Sequence, residues 1–265
     1  MRKIKLLIGN WCARIIRFLA RKAKIELIGL AYYENGIMKS HSMVASGEVY
    51  FINKFLKDKL QTNEPTFVDI GANVGDYANL LYTNFPESKI HCFEPNPNTF
   101  AKLKSTLPES IKINNEGIGE KEGSLKLYFD GDNKTSVQAT SDRKILEVIS
   151  KVENIEEISI KIDTLDNYCS KENIESIDLL KIDTEGFEYE ALQGAKSMLE
   201  NKKIKMIQFE FNEINIVKRR FIRDFYELLN DFDFYRLDES RMIPLGEWIP
   251  KHEIFMFQNI LAVAR

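Results

Sequence analysis

Four short apolar stretches of the chain, TFVDIG, HCFEP, LLKIDTEG and IQFEFNE, carry an acid at or near their C-terminal end. These acids are Asp69, Glu94, Asp183 and Glu210. A compact apolar run bounded by turn residues reads as a buried strand, and the end of such a strand opens into the crevice where α/β sheets bind ligands. Acids placed there can hold a ribose or an ammonium group, take a proton from a hydroxyl, or ligate a hard divalent cation.

Asp69 leads into Gly71-Ala72-Asn73-Val74-Gly75, a glycine turn that opens a helix. Glycines there allow positive φ and close approach, and the helix start offers free N–H groups. A phosphate-cradling loop would need Gly-Lys-Ser/Thr, which does not occur. A dinucleotide turn needs a glycine where Asn73 stands, and the Asp69 carboxylate would repel a pyrophosphate. The acid suits instead a ligand with an ammonium and a cationic sulfur. Glu94, 25 residues on, stands where an acid accepts ribose hydroxyls. Asn115, Gly117 and Ile118 in INNEGIGEKEG lie where an adenine would rest. The three segments together describe S-adenosylmethionine.

These residues need an alternating scaffold. Strands are expected over 67–70, 89–93, 111–115, 177–182 and 204–209, with helices over 76–85, 97–107, 187–200 and 219–231. Residues 123–129 and 158–162 alternate with period two, and 234–237 and 259–263 close the chain as strands. Strands alternating with helices predict a mostly parallel sheet with helices on both faces and right-handed crossovers. Ahead of it, helices are expected over 3–28 and over 44–60, the second with Val44, Phe51, Phe55 and Leu56 inward. The organisation that follows is a helical extension over 1–62 and an α/β domain over 63–265.

FVDIGANVGDYA, FEPNP, NEGIGEKEG and LLKIDTEGFEYEALQGA resemble the FkbM family of S-adenosylmethionine-dependent methyltransferases, over about residues 65–212. The resemblance implies the Rossmann-like seven-stranded methyltransferase sheet and methyl transfer, usually to a hydroxyl oxygen. It carries cofactor roles onto Asp69, Gly71, Asn73, Gly75 and Glu94, with Ala72 inside the same turn. Nothing is carried over to the first 60 residues.

A hydroxyl acceptor must lose its proton to a base or a metal. Asp183 is the first candidate base, followed by Glu210 and Glu185. The plain alternative for Glu185 is an acid favoured at a helix start. Oxygen ligands from adjacent strand ends could also bind Mg²⁺ or Mn²⁺, a reading weighed and not favoured. Lys181 would balance these acids or orient the cofactor. His252 and Asn212 are candidate acceptor contacts, whereas His91, inside a strand, reads as structural. The polar stretch 130–157, with a helical middle, reads either as an acceptor-binding lid carrying Thr135, Ser136 and Gln138 or as an exposed insertion.

The chain lacks any Pro-Pro pair, as an amino-methylating loop for nucleic acid would need, and its acidic catalytic region opposes phosphate backbones. The acceptor is expected to be a small molecule or glycan, with a sugar or nucleotide-sugar of surface polysaccharide preferred to a polyketide-type metabolite. A catalytically inert cofactor-binding scaffold is the non-enzyme alternative. Three separated cysteines, with no C-x-x-C, fit a reducing, cytoplasmic setting. Residues 1–30 carry eight Lys/Arg against one Glu, a net of +7, leaving about −10 on the remainder. Arginines interrupt each apolar run there, so neither a secretory signal nor a membrane span is expected. Packing on the body, peripheral contact with the inner membrane surface and a homodimer contact are the three readings of this basic amphipathic helix.

Overall fold

The computed structural model describes residues 2–132 and 139–265. Its strands are β1 Thr66–Ile70, β2 Lys89–Phe93, β3 Lys112–Asn114, β4 Gly117–Ile118, β5 Gly123–Asp130, β6 Ile155–Asp163, β7 Leu179–Ile182, β8 Met206–Phe211, β9 Phe232–Leu237, β10 Met242–Pro244 and β11 Gln258–Ala264. The main sheet has eight strands in the order β10-β9-β11-β8-β7-β1-β2-β3. From β3 to β8 the neighbours are parallel, while β11 runs antiparallel to both β8 and β9. The seven expected strands are therefore joined by an added edge strand, β10, paired antiparallel with β9. A second, three-stranded sheet pairs β6 with β4 and β5. The period-two segments at 123–129 and 158–162 belong to this separate sheet.

The sheet is covered on both faces, as its apolar strands require. Alternation divides the side chains. Val68, Ile70, Leu180, Ile182, Ile207 and Phe209 enter one core, which also holds Leu165, Leu192 and Phe225. Phe67, Leu179, Met206 and Leu261 enter the other, with Phe51, Ile52, Tyr77, Leu81 and Leu103. The first core is covered partly by a helix over Leu165–Glu172, which is not among the expected helices. The expected helix over 187–200 is two pieces, Glu188–Gln193 and Lys196–Glu200. Its break falls at Gly194, whose missing side chain leaves room for the Gly119 carbonyl: a Cβ would come within 2.0 Å of that oxygen.

The front end departs from expectation in two places. The helix expected over 3–28 divides into α1, Arg2–Ala23, and α2, Leu27–Tyr33. Lys24 adopts φ 55°, and the Ile25 N–H reaches back to the Ala20 carbonyl at 2.9 Å, a left-handed helix stop with lysine in glycine's usual place. The second helix begins at Glu48 rather than 44, runs over 48–59 with a π-wound middle, Phe51–Leu56, and leaves Val44 exposed. Between α2 and this helix the chain is tied to the body. Lys39 Nζ donates to Asp238 Oδ1 at 2.7 Å, and Met38 N–H donates to the Phe257 carbonyl at 2.8 Å.

The glycine turn after β1 is held by its surroundings. Gly71 has φ +83°, and a Cβ there would lie 1.8 Å from the Asp183 carbonyl oxygen at the end of β7. Gly246 has φ +66° with open space around it. Gly246→Ala should therefore cost only the left-handed penalty, about 1 kcal/mol. Gly71→Ala should cost on the order of 3 kcal/mol, because two strand ends must separate. Urea unfolding of both variants tests this; equal midpoints would show that the β1–β7 contact is not tight.

Candidate active site

Register and alternation assemble the centre of the site. Asp69 lies beside Cys92 on β2 and Lys181 on β7, and Lys181 lies beside Gln208 on β8. All point to the face that buries Phe67, Leu179 and Met206, since residues two apart on a strand share a face. A polar row thus crosses the middle of an apolar face. The helices above supply its partners. Tyr77 Oη donates to Gln208 Oε1 at 2.6 Å, and Gln208 Nε2 donates to Glu48 Oε1 at 3.0 Å. Ser46 Oγ donates to Glu48 Oε2 at 2.9 Å. Lys181 Nζ donates to Asp183 Oδ2 at 2.9 Å and lies 4.9 Å from the centre of the Tyr77 ring.

One ammonium therefore faces three acids, Glu48, Asp69 and Asp183. Burial works against the Lys181 charge, yet the fields of Asp183, Asp69 and Glu48 together raise its pKa. Burial lifts the Asp69 carboxyl to about 6; Lys181 opposes that rise, and Asp183 and Glu48 add to it. Burial also raises Glu48. Both Asp69 oxygens are buried without a protein hydrogen-bond partner. A buried carboxylate left unpaired is costly, and a cationic ligand entering beside it removes that cost. S-adenosylmethionine, with its ammonium and sulfonium, fits this charge deficit.

The turn is fastened to β2. Gly71 and Ala72 both donate their N–H to the Phe93 carbonyl at 2.9 Å. Glu94 accepts the Asn73 N–H at 3.0 Å on one oxygen and the Asn96 N–H at 2.9 Å on the other. Burial raises Glu94 to about 7 against those two amides. A cavity of about 270 Å³ opens here, bordered by Asp69, Gly71, Ala72, Asn73 and Glu94 together with Lys181 and Asp183. Gly75 does not border it. Its φ of +97° and a Cβ that would meet Leu103 and Leu107 at 2.9 Å show that it serves the packing of the helix over Pro97–Thr106. Gly117 and Ile118 border a small apolar slot beside Gly71, closed by Ile160, Ile162 and Phe187. Asn115 departs from its expected place: it is exposed, and its side-chain amide is spent on the Glu94 and Pro95 carbonyls at 2.9 and 3.2 Å.

A second cavity, about 390 Å³, is bordered by Glu185, Glu210, Asn212, Glu213, Ser40 and Thr140 among others. Glu185 borders both this cavity and the first. Its backbone is left-handed at φ 52°. Burial raises its carboxyl to about 8, with Asp183, Glu188 and Glu213 adding repulsion. Burial, then the charges of Asp183, Glu185 and Glu188, pushes Glu210 well above the carboxylate range. Glu188, not Glu185, serves the helix start, accepting the Thr184 and Gly186 N–H groups at 2.9 and 3.1 Å. Asn212 donates to Glu210 Oε1 and accepts the Ile214 N–H at 2.8 Å, so it positions Glu210.

Of the remaining candidates, His252 is misplaced by the sequence reading. It is buried, its ring lies parallel to that of Tyr226 with centres 6.2 Å apart, and it borders neither cavity. Burial lowers its pKa, as for a neutral packed imidazole. Ser136, with Thr135 and Gln138, lies outside the described residues. His91 faces the Tyr168 hydroxyl at 2.9 Å, the structural role expected of it. Among the described residues no three of His, Cys, Asp or Glu are gathered to hold a metal ion. Glu48, Tyr77 and Ser40 were missed. Only for Glu48 was there a signal, an acid in helical phase with Phe51, Ile52 and Phe55.

Residues 69–236 match the family model of the methyltransferase FkbM domain. The 2-O-methyltransferase NoeI of Sinorhizobium fredii (strain NBRC 101917 / NGR234) is 25% identical over 191 residues, covering 69% of this chain and 78% of that protein. Methyltransferase sdnD of Sordaria araneosa is 29% identical over 195 residues, covering 64% of this chain and 74% of that one. The crystal structure of a methyltransferase FkbM from Methylobacillus flagellatus KT aligns over 80% of this chain and 47% of its own, at a TM-score of 0.46 and 14% identity. Because the family model spans more than half of the residues, and spans the glycine turn and all four strand-end acids, the chain belongs to the FkbM family of S-adenosylmethionine-dependent methyltransferases.

Proposed function

We propose that the chain methylates a hydroxyl oxygen of a sugar or glycan, with the donor in the cavity at Asp69 and the acceptor in the cavity at Glu210. The observation that carries this reading is Glu185, the carboxylate bordering both cavities. When bound, S-adenosylmethionine supplies an electrophilic methyl group on a cationic sulfur. Asp69 offers it a counter-charge, Glu94 accepts ribose hydroxyls with its remaining lone pairs, and Gly117 and Ile118 seat the adenine. Glu185 takes the proton of the acceptor hydroxyl. Asp183, the first candidate base from sequence, is ion-paired to Lys181 and holds the charge balance beside it. Glu210, kept protonated by burial and by its acidic neighbours and oriented by Asn212, hydrogen-bonds a second acceptor hydroxyl.

Oxygen as the target is supported by the 2-O-methyltransferase among the relatives. A sugar is supported by the lining: Ser40, Thr140 and Ser150 offer hydroxyls beside three glutamates. Among the described residues no lysine or arginine borders that cavity, which favours an unphosphorylated sugar over a nucleotide-sugar. Labelled methyl transfer into fractionated host extract, with mass analysis of the product, tests the class. A methylated glycan hydroxyl is expected; a methylated amine or polyketide would overturn it.

Asp69→Asn should weaken S-adenosylmethionine binding by about 10- to 100-fold, the worth of one charge-assisted contact of roughly 1.5–3 kcal/mol. The same change should leave the ligand-free protein as stable at pH 7, or more so. The Asp69 pKa lies at about 6, above the ordinary 3.8, so its contribution to stability is present below the ordinary value and lost as pH rises through about 6. Calorimetry and thermal melting read the two effects; unchanged affinity would remove Asp69 from the cofactor site.

Glu185→Gln should preserve cofactor affinity and cut turnover about 10²- to 10⁴-fold. With its pKa raised to about 8, the base is mostly protonated at neutral pH, so wild-type kcat/KM should climb with pH towards a plateau above that value. The variant's residual rate should lack this limb. A wild-type profile flat from pH 6 to 9 (about three decades of proton concentration) would move the role to Asp183.

A further inference from the structure

We infer that α1 seats this enzyme on an anionic membrane surface. Of the three readings of this helix, packing of its apolar side on the body is not met over residues 11–23. Trp11, Phe18 and Leu19 are 65%, 60% and 57% exposed, and Ile15 and Ile16 are exposed beside them. From Trp11 to Ala23 only Ala20 is buried. At 100° per residue Trp11, Ile15 and Phe18 form one stripe, and Arg14, Arg17 and Arg21 form a second along its flank. The apolar surface continues into α2, where Ile28 and Leu30 are exposed and no residue is buried.

Charge selects the occupant. Among the described residues no carboxylate pairs with Arg14, Arg17, Arg21, Lys22 or Lys24. Arg17 bonds back to the Ala13 carbonyl at 3.1 Å, and Lys22 lies 5.9 Å from the centre of the Phe18 ring. Residues 1–30 carry +7 while the rest of the chain carries about −10. A second copy docking α1 on α1 would bring two +7 surfaces together across a thin apolar contact. A bilayer carrying acidic headgroups meets both needs: its acyl boundary takes Trp11, Ile15 and Phe18, and its phosphates take the arginines. The helix lies on the surface rather than crossing it, since no described helix is long and apolar enough to span.

Flotation of the full chain with vesicles tests this, using phosphatidylcholine alone and phosphatidylcholine mixed with phosphatidylglycerol. Binding only to the anionic mixture, weakening with salt, is expected. The triple variant R14E/R17E/R21E should lose binding at least ten-fold, and so should W11S/F18S. Both should keep the wild-type melting temperature, because these side chains do not pack on the body. Two results overturn the inference: no binding to anionic vesicles at low salt, or binding that both variants retain. If vesicles do not bind and sedimentation shows a dimer that W11S/F18S dissociates, the surface belongs to a second copy.

Discussion

Everything at the centre of this fold is arranged around an unequal balance of buried charge. Lys181 stands on a central strand and faces Glu48, Asp69 and Asp183, and only Asp183 is within a hydrogen bond of it. An apolar sheet face tolerates such a row because Gln208, Tyr77 and Ser46 satisfy the polar atoms around it. Asp69 is the exception, buried with both oxygens unpartnered. Unfulfilled polar groups in a folded interior call for an explanation, and a cationic cofactor supplies one.

The same constraint explains why distant segments converge. Gly71 lets β1 close against the Asp183 carbonyl, which brings Asp69 and Asp183 to the same crevice. Glu94 clamps the turn from β2 through two backbone amides. Glu48 comes from a helix ahead of the region matched by the family model, so the segment before the α/β domain contributes to the cavity wall. Around the second cavity, Glu185 and Glu210 with Asp183, Glu188 and Glu213 crowd buried carboxyls into one place. Burial first, and then repulsion among carboxyls that cannot all ionise, raises the Glu185 and Glu210 pKa values.

Much of this was legible in the sequence, and the reasons for the rest are specific. Apolar runs ending in acids placed β1 and β2 to within a residue, because a buried parallel strand has a strong local signature. Asp69, Glu94, Asp183 and Glu210, at or just past the ends of such runs, border the two cavities, and Glu185 borders both. The three-stranded sheet was not legible: the pairing of Gly117 with Ile162 is long-range and leaves no local trace. The break after α1 rests on a left-handed lysine, a conformation without a sequence mark. His252 looked like a loop histidine free to reach the crevice, whereas an aromatic partner 26 residues away, Tyr226, holds it elsewhere.

The buried acids at β1 and β2, Asp69 without a partner and Glu94 with two backbone amides, are completed by a cationic cofactor that carries a ribose. Binding of S-adenosylmethionine should then draw protons off Asp69 and Glu94, whose pKa values stand at about 6 and about 7 in the free protein. Titration calorimetry between those pH values, repeated in buffers of different ionisation enthalpy, counts the protons exchanged. Net release on binding, fading at higher pH where both acids are already ionised, is the predicted result. Binding with no proton exchange, or with uptake, would show that neither acid meets the cofactor.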